Sequence, residues 1–324
     1  MALGTPSELK DKIVGSILWT EEYYKKVAEK VLLDIFIVFQ NTRTVPTIQA
    51  LDFLLNDPDN FAAEPGSAES FDRLKESLKK LGSDLSGLKS DIALWARSEF
   101  ATLISDNKAP SVLDWIENKK IVYINLNTLG FEETSRRFGR ILIQDLKTAV
   151  QRIQDFDESV RPKTTVILDE FASIASSGFI ELINKARSAN VSLTLAHQSL
   201  GDLNSISDSF TDQILDNTPN KIIFRVDSPD TADFLARLIG TRKSSKKTSQ
   251  TQNIGVLGDS STGLGTVRDT EEFIVSPNDI KSLSRGQALI LTKIPFNISK
   301  VQLIPARKRI EKYRRSKWLN LFLN

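Results

Sequence analysis

The sequence contains no cysteine and only one histidine, His197. Disulfide bonds, thiolate zinc sites, cysteine nucleophiles and sites that need two imidazoles are therefore excluded. Long apolar runs are also missing, because the longest, Val31–Phe39, is interrupted by Asp34 and is far shorter than the roughly 20 residues that span a bilayer. With 324 residues, 40% hydrophobic and 26% charged, the composition is that of a globular chain with room for about two domains. We expect a soluble, cytoplasmic protein.

Positive charge is concentrated in two short segments, although the formal net charge is only +2. One lies at residues 242–247, and the other, residues 307–317, carries seven bases and one acid. Such segments either bind a polyanion or form a solvated loop and a disordered tail. On the first interpretation the predicted DNA-binding residues are Arg242, Lys243, Lys246, Lys247, Arg307, Arg309, Arg314 and Arg315.

The first third of the chain repeats apolar residues at helical spacing and contains no convincing strand pattern. One apolar stripe runs from Trp19 to Phe39 and another from Phe71 to Trp95. Prolines and a glycine between residues 58 and 66 mark a loop between them. We therefore predict an all-helical domain over residues 1–117.

Beyond residue 118, short apolar runs rich in β-branched residues alternate with helical patterns. The predicted strands are Ile121–Leu126, Thr165–Leu168, Val191–Ala196, Lys221–Val226 and Ala288–Thr292. The predicted helices are Phe131–Asp155, Gly178–Ala189, Gly201–Leu215 and Asp230–Ile239. This alternation predicts an α/β domain over residues 118–324, with a largely parallel sheet and helices on both faces. Residues 244–268, rich in serine, threonine and glycine, are predicted to form a flexible insertion.

The predicted strand Thr165–Leu168 ends directly in Asp169 and Glu170, and ligands of parallel sheets bind at the carboxyl ends of strands. An apolar run closed by Asp-Glu is the Walker B pattern of ATPases. In that pattern Asp169 would hold Mg²⁺ through water and Glu170 would take a proton from the attacking water. An acidic pair at a strand end can also cap the following helix, so both interpretations stay open.

The next predicted strand ends in His197 and Gln198. A glutamine beside a Walker B strand can contact the γ-phosphate of a nucleotide or the attacking water, whereas His197 is expected to pack rather than to catalyse. Between the two strands, Arg187 closes a predicted helix. It either stabilises the helix C-terminus through the dipole or reaches a phosphate, for example on a neighbouring subunit.

A phosphate-binding loop does not accompany these residues. Gly82–Ser90 has one residue too many before its lysine and lies in a helical pattern with no strand ahead of it. Gly255–Gly265 is rich in glycine but contains no lysine. The sequence therefore predicts no Walker A motif.

Taken together, the residues from Ile121 onward resemble the coupling-protein ATPases of conjugative type IV secretion, the TraG/TraD-type DNA transfer pumps. The ordered segments that carry the resemblance are Ile121–Ile124, Val166–Phe171, Lys185–Arg187, Ala196–Ser199, Asn217–Arg225, Asp230–Ala232 and Leu283–Ala288. The resemblance as a whole covers about two thirds of the chain, and the helical first third is similar to the all-α domain of that family.

The resemblance implies a RecA-like P-loop NTPase core with an N-terminal all-helical domain. It also implies a homo-hexamer at the cytoplasmic face of the inner membrane, which uses ATP and Mg²⁺ to deliver relaxase-bound DNA to the secretion channel. On this chain, Asp169 would organise Mg²⁺ and Glu170 would activate water. Gln198 would sense the γ-phosphate, and Arg187 would be the arginine finger.

The family's Walker A half and its membrane-spanning N-terminus are both missing from the sequence. We expect either a C-terminal piece of a longer or split protein, carrying the Walker B half, or a chain that has lost ATPase activity. Two alternatives stay open: an ATPase-inactive module that docks DNA or the relaxosome, and an FtsK- or HerA-type DNA translocase.

Overall fold

The computed structural model describes residues 4–61, 68–98, 101, 110–126, 132–252 and 260–304. The chain divides into two compact units, Met1–Asn217 and Thr218–Asn324. The domain boundary predicted after residue 117 falls inside the first unit and remains a prediction.

The first unit begins with a helical region, as the apolar spacing predicts. Its described helices are α1 (Pro6–Val14), α2 (Glu22–Asn41), α3 (Ile48–Asn56), α4 (Ala68–Leu81) and α5 (Ser86–Ala96). The first helix is started by a capping box, in which the side chain of Thr5 accepts from the amide of Glu8 and the carboxylate of Glu8 accepts from the amide of Thr5. A 3₁₀ turn, Gly82–Leu85, and the first residues of α5 form the glycine-lysine string Gly82–Ser90.

These helices enclose one hydrophobic core, in which Phe36, Phe39 and Trp95 are at most 2% exposed. No described helix is both long and apolar enough to cross a membrane.

The rest of the first unit alternates helices and strands. Its elements are α6 (Val112–Glu117), α7 (Glu132–Gln154), β1 (Thr164–Leu168), α8 (Phe179–Ala186), β2 (Val191–Leu195), α9 (Leu200–Asn204) and α10 (Asp208–Asn217). Strands β1 and β2 pair in parallel, from Thr164 opposite Val191 to Leu168 opposite Leu195. The α8 connection between them is the helical crossover that a parallel pair requires. The predicted strands Thr165–Leu168 and Val191–Ala196 and the predicted helices Phe131–Asp155 and Gly178–Ala189 are confirmed, whereas the predicted helix Gly201–Leu215 is divided into α9 and α10.

Polar contacts attach α7 to the helical region. The ammonium of Lys12 lies 2.6 Å from a carboxylate oxygen of Asp145, and both side chains are largely buried. Arg152 reaches Glu8 at 2.9 Å, and Arg137 pairs with Asp91 on α5. Helix α7 is therefore held against the helical region as well as against the strands.

One face of β1 and β2 packs on a second hydrophobic cluster that includes Phe171, Phe179 and Phe210, all at most 1% exposed. The opposite face is exposed, because side chains alternate along a strand. Its exposed residues are Thr165, Ile167, Ser192 and Thr194.

The predicted strand Ile121–Leu126 is not a strand in the structure. Ile121 and Tyr123 are almost fully exposed, and the segment pairs with neither β1 nor β2. An apolar run becomes a strand only where a partner backbone satisfies its amides and carbonyls. Among the described residues, none of the sheets provides that partner.

The second unit contains β3 (Asn220–Ile223), α11 (Pro229–Ile239), β4 (Thr241–Gln252), β5 (Ser260–Phe273), α12 (Pro277–Lys281), β6 (Gln287–Lys293) and β7 (Phe296–Gln302). The order β3-β6-β7 is antiparallel throughout, whereas the sequence predicted that β3 and β6 would extend a largely parallel sheet. The periodicity of a strand does not encode its direction, and a short turn after Lys293 suffices to make β6 and β7 antiparallel.

The predicted insertion over residues 244–268 falls mainly on β4 and β5, which pair antiparallel, and residues 253–259 lie outside the described residues. Its serine and glycine residues are typical of loops, but its threonine residues also favour strands.

Candidate functional site

The carboxyl ends of β1 and β2 are fastened together by backbone hydrogen bonds. The amide of Ala196 donates to the carbonyl of Leu168 at 2.9 Å, and the amide of Phe171 donates back to the carbonyl of Ala196 at 2.8 Å. These two bonds continue the pairing beyond the last strand residues. They bring the segment that follows Leu168 beside the segment that follows Leu195.

Glu170 occupies the left-handed region of the backbone, with φ 49° and ψ 39°, which is uncommon for a residue other than glycine. Its amide is satisfied by the carboxylate of Asp169 at 3.0 Å, and its carbonyl accepts from the hydroxyl of Ser173 at 2.9 Å. The backbone therefore turns sharply directly after the strand, and both carboxylates remain exposed.

Gln198 is exposed one residue beyond His197, which is half-buried. A ring nitrogen of His197, Nδ1, lies 3.1 Å from the carbonyl of Ser199, and Ser199 caps α9 by accepting from the amide of Gly201. The turn after β2 thus has its own local hydrogen bonds, and His197 takes part in them.

Glu170 and Gln198 line the same cavity, which has a volume of about 870 Å³. His197 also lines it, and the other walls come from the α1–α2 connection, the start of α2, α7, residues 172–178, α9 and residues 205–206. The structure therefore brings together two of the site residues predicted from the sequence. Asp169 and Arg187 are not among the lining residues, and Arg187 is exposed at the C-terminus of α8.

Sequence reasoning missed a basic wall on α7, formed by Arg136 and Arg140. Arg140 is 4% exposed, and burial lowers the pKa of its guanidinium. The Nε atoms of both arginines are buried without a hydrogen-bond partner. The signal in the sequence was the spacing of these two arginines, since residues four apart share a helix face.

Acidic side chains also line the cavity. Besides Glu170 they are Glu22 and Asp202, and Glu22 lies 3.7 Å from the ammonium of Lys25. The cavity is therefore of mixed charge, with two arginines on α7, Lys25 on α2, and carboxylates from α2, α9 and the end of β1. Among the residues that the structure describes, no cluster of three or more histidine, aspartate or glutamate side chains forms a metal site.

The predicted DNA-binding residues fall in two places. Arg242 and Lys243 are exposed on β4, where the strand register sets Glu272 opposite Arg242 and Glu271 opposite Lys243. Lys246 and Lys247 also lie on β4. Arg307, Arg309, Arg314 and Arg315 lie outside the described residues.

The fold is that of the conjugative coupling proteins, as comparison with solved structures shows. The unbound form of the bacterial conjugative coupling protein TrwBdeltaN70 matches with a TM-score of 0.66 and 13% identity, covering 93% of this chain and 68% of that one. The TrwB complex with the GTP analogue GDPNP matches at 0.61 and 14% identity over 94% and 70%. The TrwB complex with ADP and Mg²⁺ matches at 0.60 and 13% identity over 93% and 68%. The predicted RecA-like α/β core with an N-terminal helical region is thereby confirmed.

The sequence itself matches a family model over residues 163–285, described as the TraM recognition site of TraD and TraG. This match and the shared fold agree with the resemblance to TraG/TraD-type coupling proteins. None of the curated proteins matches it.

Proposed function

We propose that this chain is the Walker B half of a coupling ATPase of conjugative type IV secretion, which translocates relaxase-bound DNA once a Walker A half completes it. The observation that carries the proposal is the shared cavity of Glu170 and Gln198 at the ends of two adjacent parallel strands. In open α/β sheets, ligands bind at that position. The match to TraD and TraG over residues 163–285 supports the proposal.

The residues have distinct roles in the proposed site. Asp169 would hold Mg²⁺, and the carboxylate of Glu170 would take the proton of the attacking water. The amide side chain of Gln198 contacts the γ-phosphate or that water. Arg187, exposed on α8, is the arginine finger for the nucleotide of an adjacent subunit.

Two exposed carboxylates, Asp169 and Glu170, directly follow β1, and carboxylates are the protein ligands that Mg²⁺ takes in such sites. Mg²⁺ in nucleotide sites is held by one or two carboxylates together with substrate phosphates and water, so the lack of a larger acidic cluster among the described residues is no obstacle. TrwB has been solved with ADP and Mg²⁺ and with analogues of ATP and GTP. The bound nucleotide supplies the phosphoryl group that water attacks.

Further proposals follow from the same resemblance. The intact motor is a homo-hexamer at the cytoplasmic face of the inner membrane, and it connects the relaxosome with the secretion channel. The matched relatives extend beyond this chain, which covers 68% of TrwBdeltaN70. Because a phosphate loop makes most contacts to the β- and γ-phosphates, we expect this chain to bind ATP weakly by itself.

The experiment is to fuse the phosphate-loop half of a TraG/TraD-type protein to this chain and to measure DNA-stimulated ATP turnover. Glu170→Gln is expected to lower turnover by about 10²–10⁴-fold, the usual contribution of a general base. Glu158→Gln, at an exposed acid outside the cavity, is the control and should leave turnover unchanged. Equal turnover in both variants refutes the assignment of Glu170.

A second candidate is a docking module without ATPase activity, which the family description favours because it names recognition of TraM. This candidate predicts that the chain binds a relaxosome protein of the TraM class without nucleotide. If the fused chain binds such a protein and has no Glu170-dependent turnover, the docking function replaces the motor.

A further inference from the structure

The cavity shared by Glu170 and Gln198 contains two arginines that none of the roles above uses. Arg136 and Arg140 lie one helical turn apart on α7 and both line the cavity. A guanidinium remains charged in proteins, so burying one is unfavourable unless an anion or several hydrogen bonds compensate it.

Compensation by the protein is incomplete at Arg140. The nearest carboxylate oxygen, on Glu133, lies 4.0 Å from Nη1 of Arg140. The same oxygen accepts from Nε of Arg137 at 2.8 Å. Arg140 therefore shares one distant acceptor, although its side chain is only 5% exposed, and its Nε has no hydrogen-bond partner.

Arg136, which is more exposed, is also incompletely compensated by the protein. One terminal nitrogen pairs with Glu132, four residues earlier, at 2.8 Å, while its Nε is buried and unsatisfied. Planar guanidinium groups present paired donors that match the oxygens of phosphate groups. Lys25 adds a third cation to the lining, and Glu22, Glu170 and Asp202 are the carboxylates that oppose them.

We propose that Arg136 and Arg140 bind a phosphate-type oxyanion of a small ligand, such as the polyphosphate of a nucleotide, within this cavity. The volume of about 870 Å³ lies in the range of small-molecule sites. The inference deepens the proposed function, because it adds a second phosphate contact to the site of Glu170. Oxyanion binding can be tested without ATP turnover, because both arginines are in this chain and no fused half is needed.

The test uses this chain without a fused half and titrates it with sodium tripolyphosphate by calorimetry at low salt. We expect saturable binding that Arg140→Gln weakens by at least about tenfold, as expected for loss of a charge-assisted hydrogen bond. Arg73→Gln is the matched control, because Arg73 also pairs with an acid four residues earlier but on an exposed helix surface. This control should bind like the unaltered chain.

Two further measurements keep the proposal falsifiable if Arg140→Gln does not fold. The half-exposed Arg136→Gln should also weaken binding, and tripolyphosphate should raise the melting temperature of the unaltered chain. Absence of binding, or equal binding in the arginine variants and the control, overturns the proposal. A single-stranded oligonucleotide without terminal phosphates is the alternative ligand. If it binds and Arg140→Gln weakens its binding, while tripolyphosphate does not bind, the assignment to a small ligand is overturned. If the fused chain shows no ATP turnover but this chain binds tripolyphosphate through the arginines, the proposed motor function is refuted and the oxyanion site is retained.

Discussion

The amide of Phe171 donates a hydrogen bond of 2.8 Å to the carbonyl of Ala196, and this bond joins the two segments that carry Glu170 and Gln198. Phe171 is fully buried, so the bond is anchored in the hydrophobic cluster beneath the strands. The two side chains therefore reach the cavity from a common, packed base rather than from independent loops.

Because the backbone at Glu170 is left-handed, substitutions there can test its effect on stability separately from its effect on turnover. Glycine adopts this conformation without strain, whereas a β-branched residue does not. We expect Glu170→Gly to change the free energy of unfolding by less than about 1 kcal/mol and Glu170→Val to lower it by about 1–2 kcal/mol. Both variants should lose turnover in the fused chain. Urea unfolding measures the first effect, and equal stability of the two variants would contradict the observed backbone.

The buried pair between Lys12 and Asp145 is expected to stabilise the attachment of α7. Lys12→Met leaves Asp145 buried beside an apolar side chain, and loss of one partner of such a pair costs about 3 kcal/mol. The control is Lys79→Met, because Lys79 and its partner Asp59 are both more than half exposed and such pairs contribute at most about 1 kcal/mol. Similar urea midpoints for the two variants would show that the contact does not hold α7.

Two capping aspartates predict how stability depends on pH. Hydrogen bonds from the Ser111 backbone and side chain lower the pKa of Asp114, and those from the Ser276 side chain and backbone lower the pKa of Asp279. Since the folded pKa is below the unfolded one, the stabilisation is complete above the ordinary aspartate pKa of about 3.9 and is lost as the pH falls through the folded value.

Melting temperatures measured from pH 7 down to pH 3 test this dependence. The melting temperature should fall at the acidic end, and Ser276→Ala should make the fall shallower by removing one source of the shift. A Ser276→Ala profile parallel to that of the unaltered chain would argue against the Asp279 cap.

DNA binding by the basic residues should be sensitive to salt, because each phosphate contact to a single strand changes the log–log slope by about −0.7. Glu271 and Glu272 lie opposite Lys243 and Arg242 in the strand register, so we expect the tail beyond residue 304 to contribute more than these two residues. Binding of an oligonucleotide over a salt series compares the chain ending at residue 304 with the double variant Arg242→Gln/Lys243→Gln. If removal of the tail leaves the affinity for the oligonucleotide and the salt slope unchanged, the tail does not contribute to DNA binding.

Local patterns predicted the elements that pack on a core, including the helices of the first third, β1, β2 and α7. Asp169, Glu170, Arg187 and Gln198 could be proposed because each ends a predicted strand or helix. The pairing of strands could not be predicted in the same way, as Ile121–Leu126 and the antiparallel β3-β6-β7 sheet illustrate. Strand pairing depends on other strands that are distant in sequence, whereas the periodicity of apolar residues indicates only which side chains of a segment are buried.

Arg136 and Arg140 were missed for a related reason. Two acids followed by three arginines at the start of α7 indicate a solvated helix face in sequence. Only the packing of the α1–α2 connection against α7 turns that face into the wall of a cavity.

Hydrogen–deuterium exchange of the fused chain, with and without ADP and Mg²⁺, tests the central claim most directly. If the ends of β1 and β2 meet around one nucleotide, peptides covering residues 168–175 and 196–206 should both become protected, and Asp169→Asn should reduce the protection of both. Protection of only one peptide, or of neither while the nucleotide is bound elsewhere, would contradict the shared site.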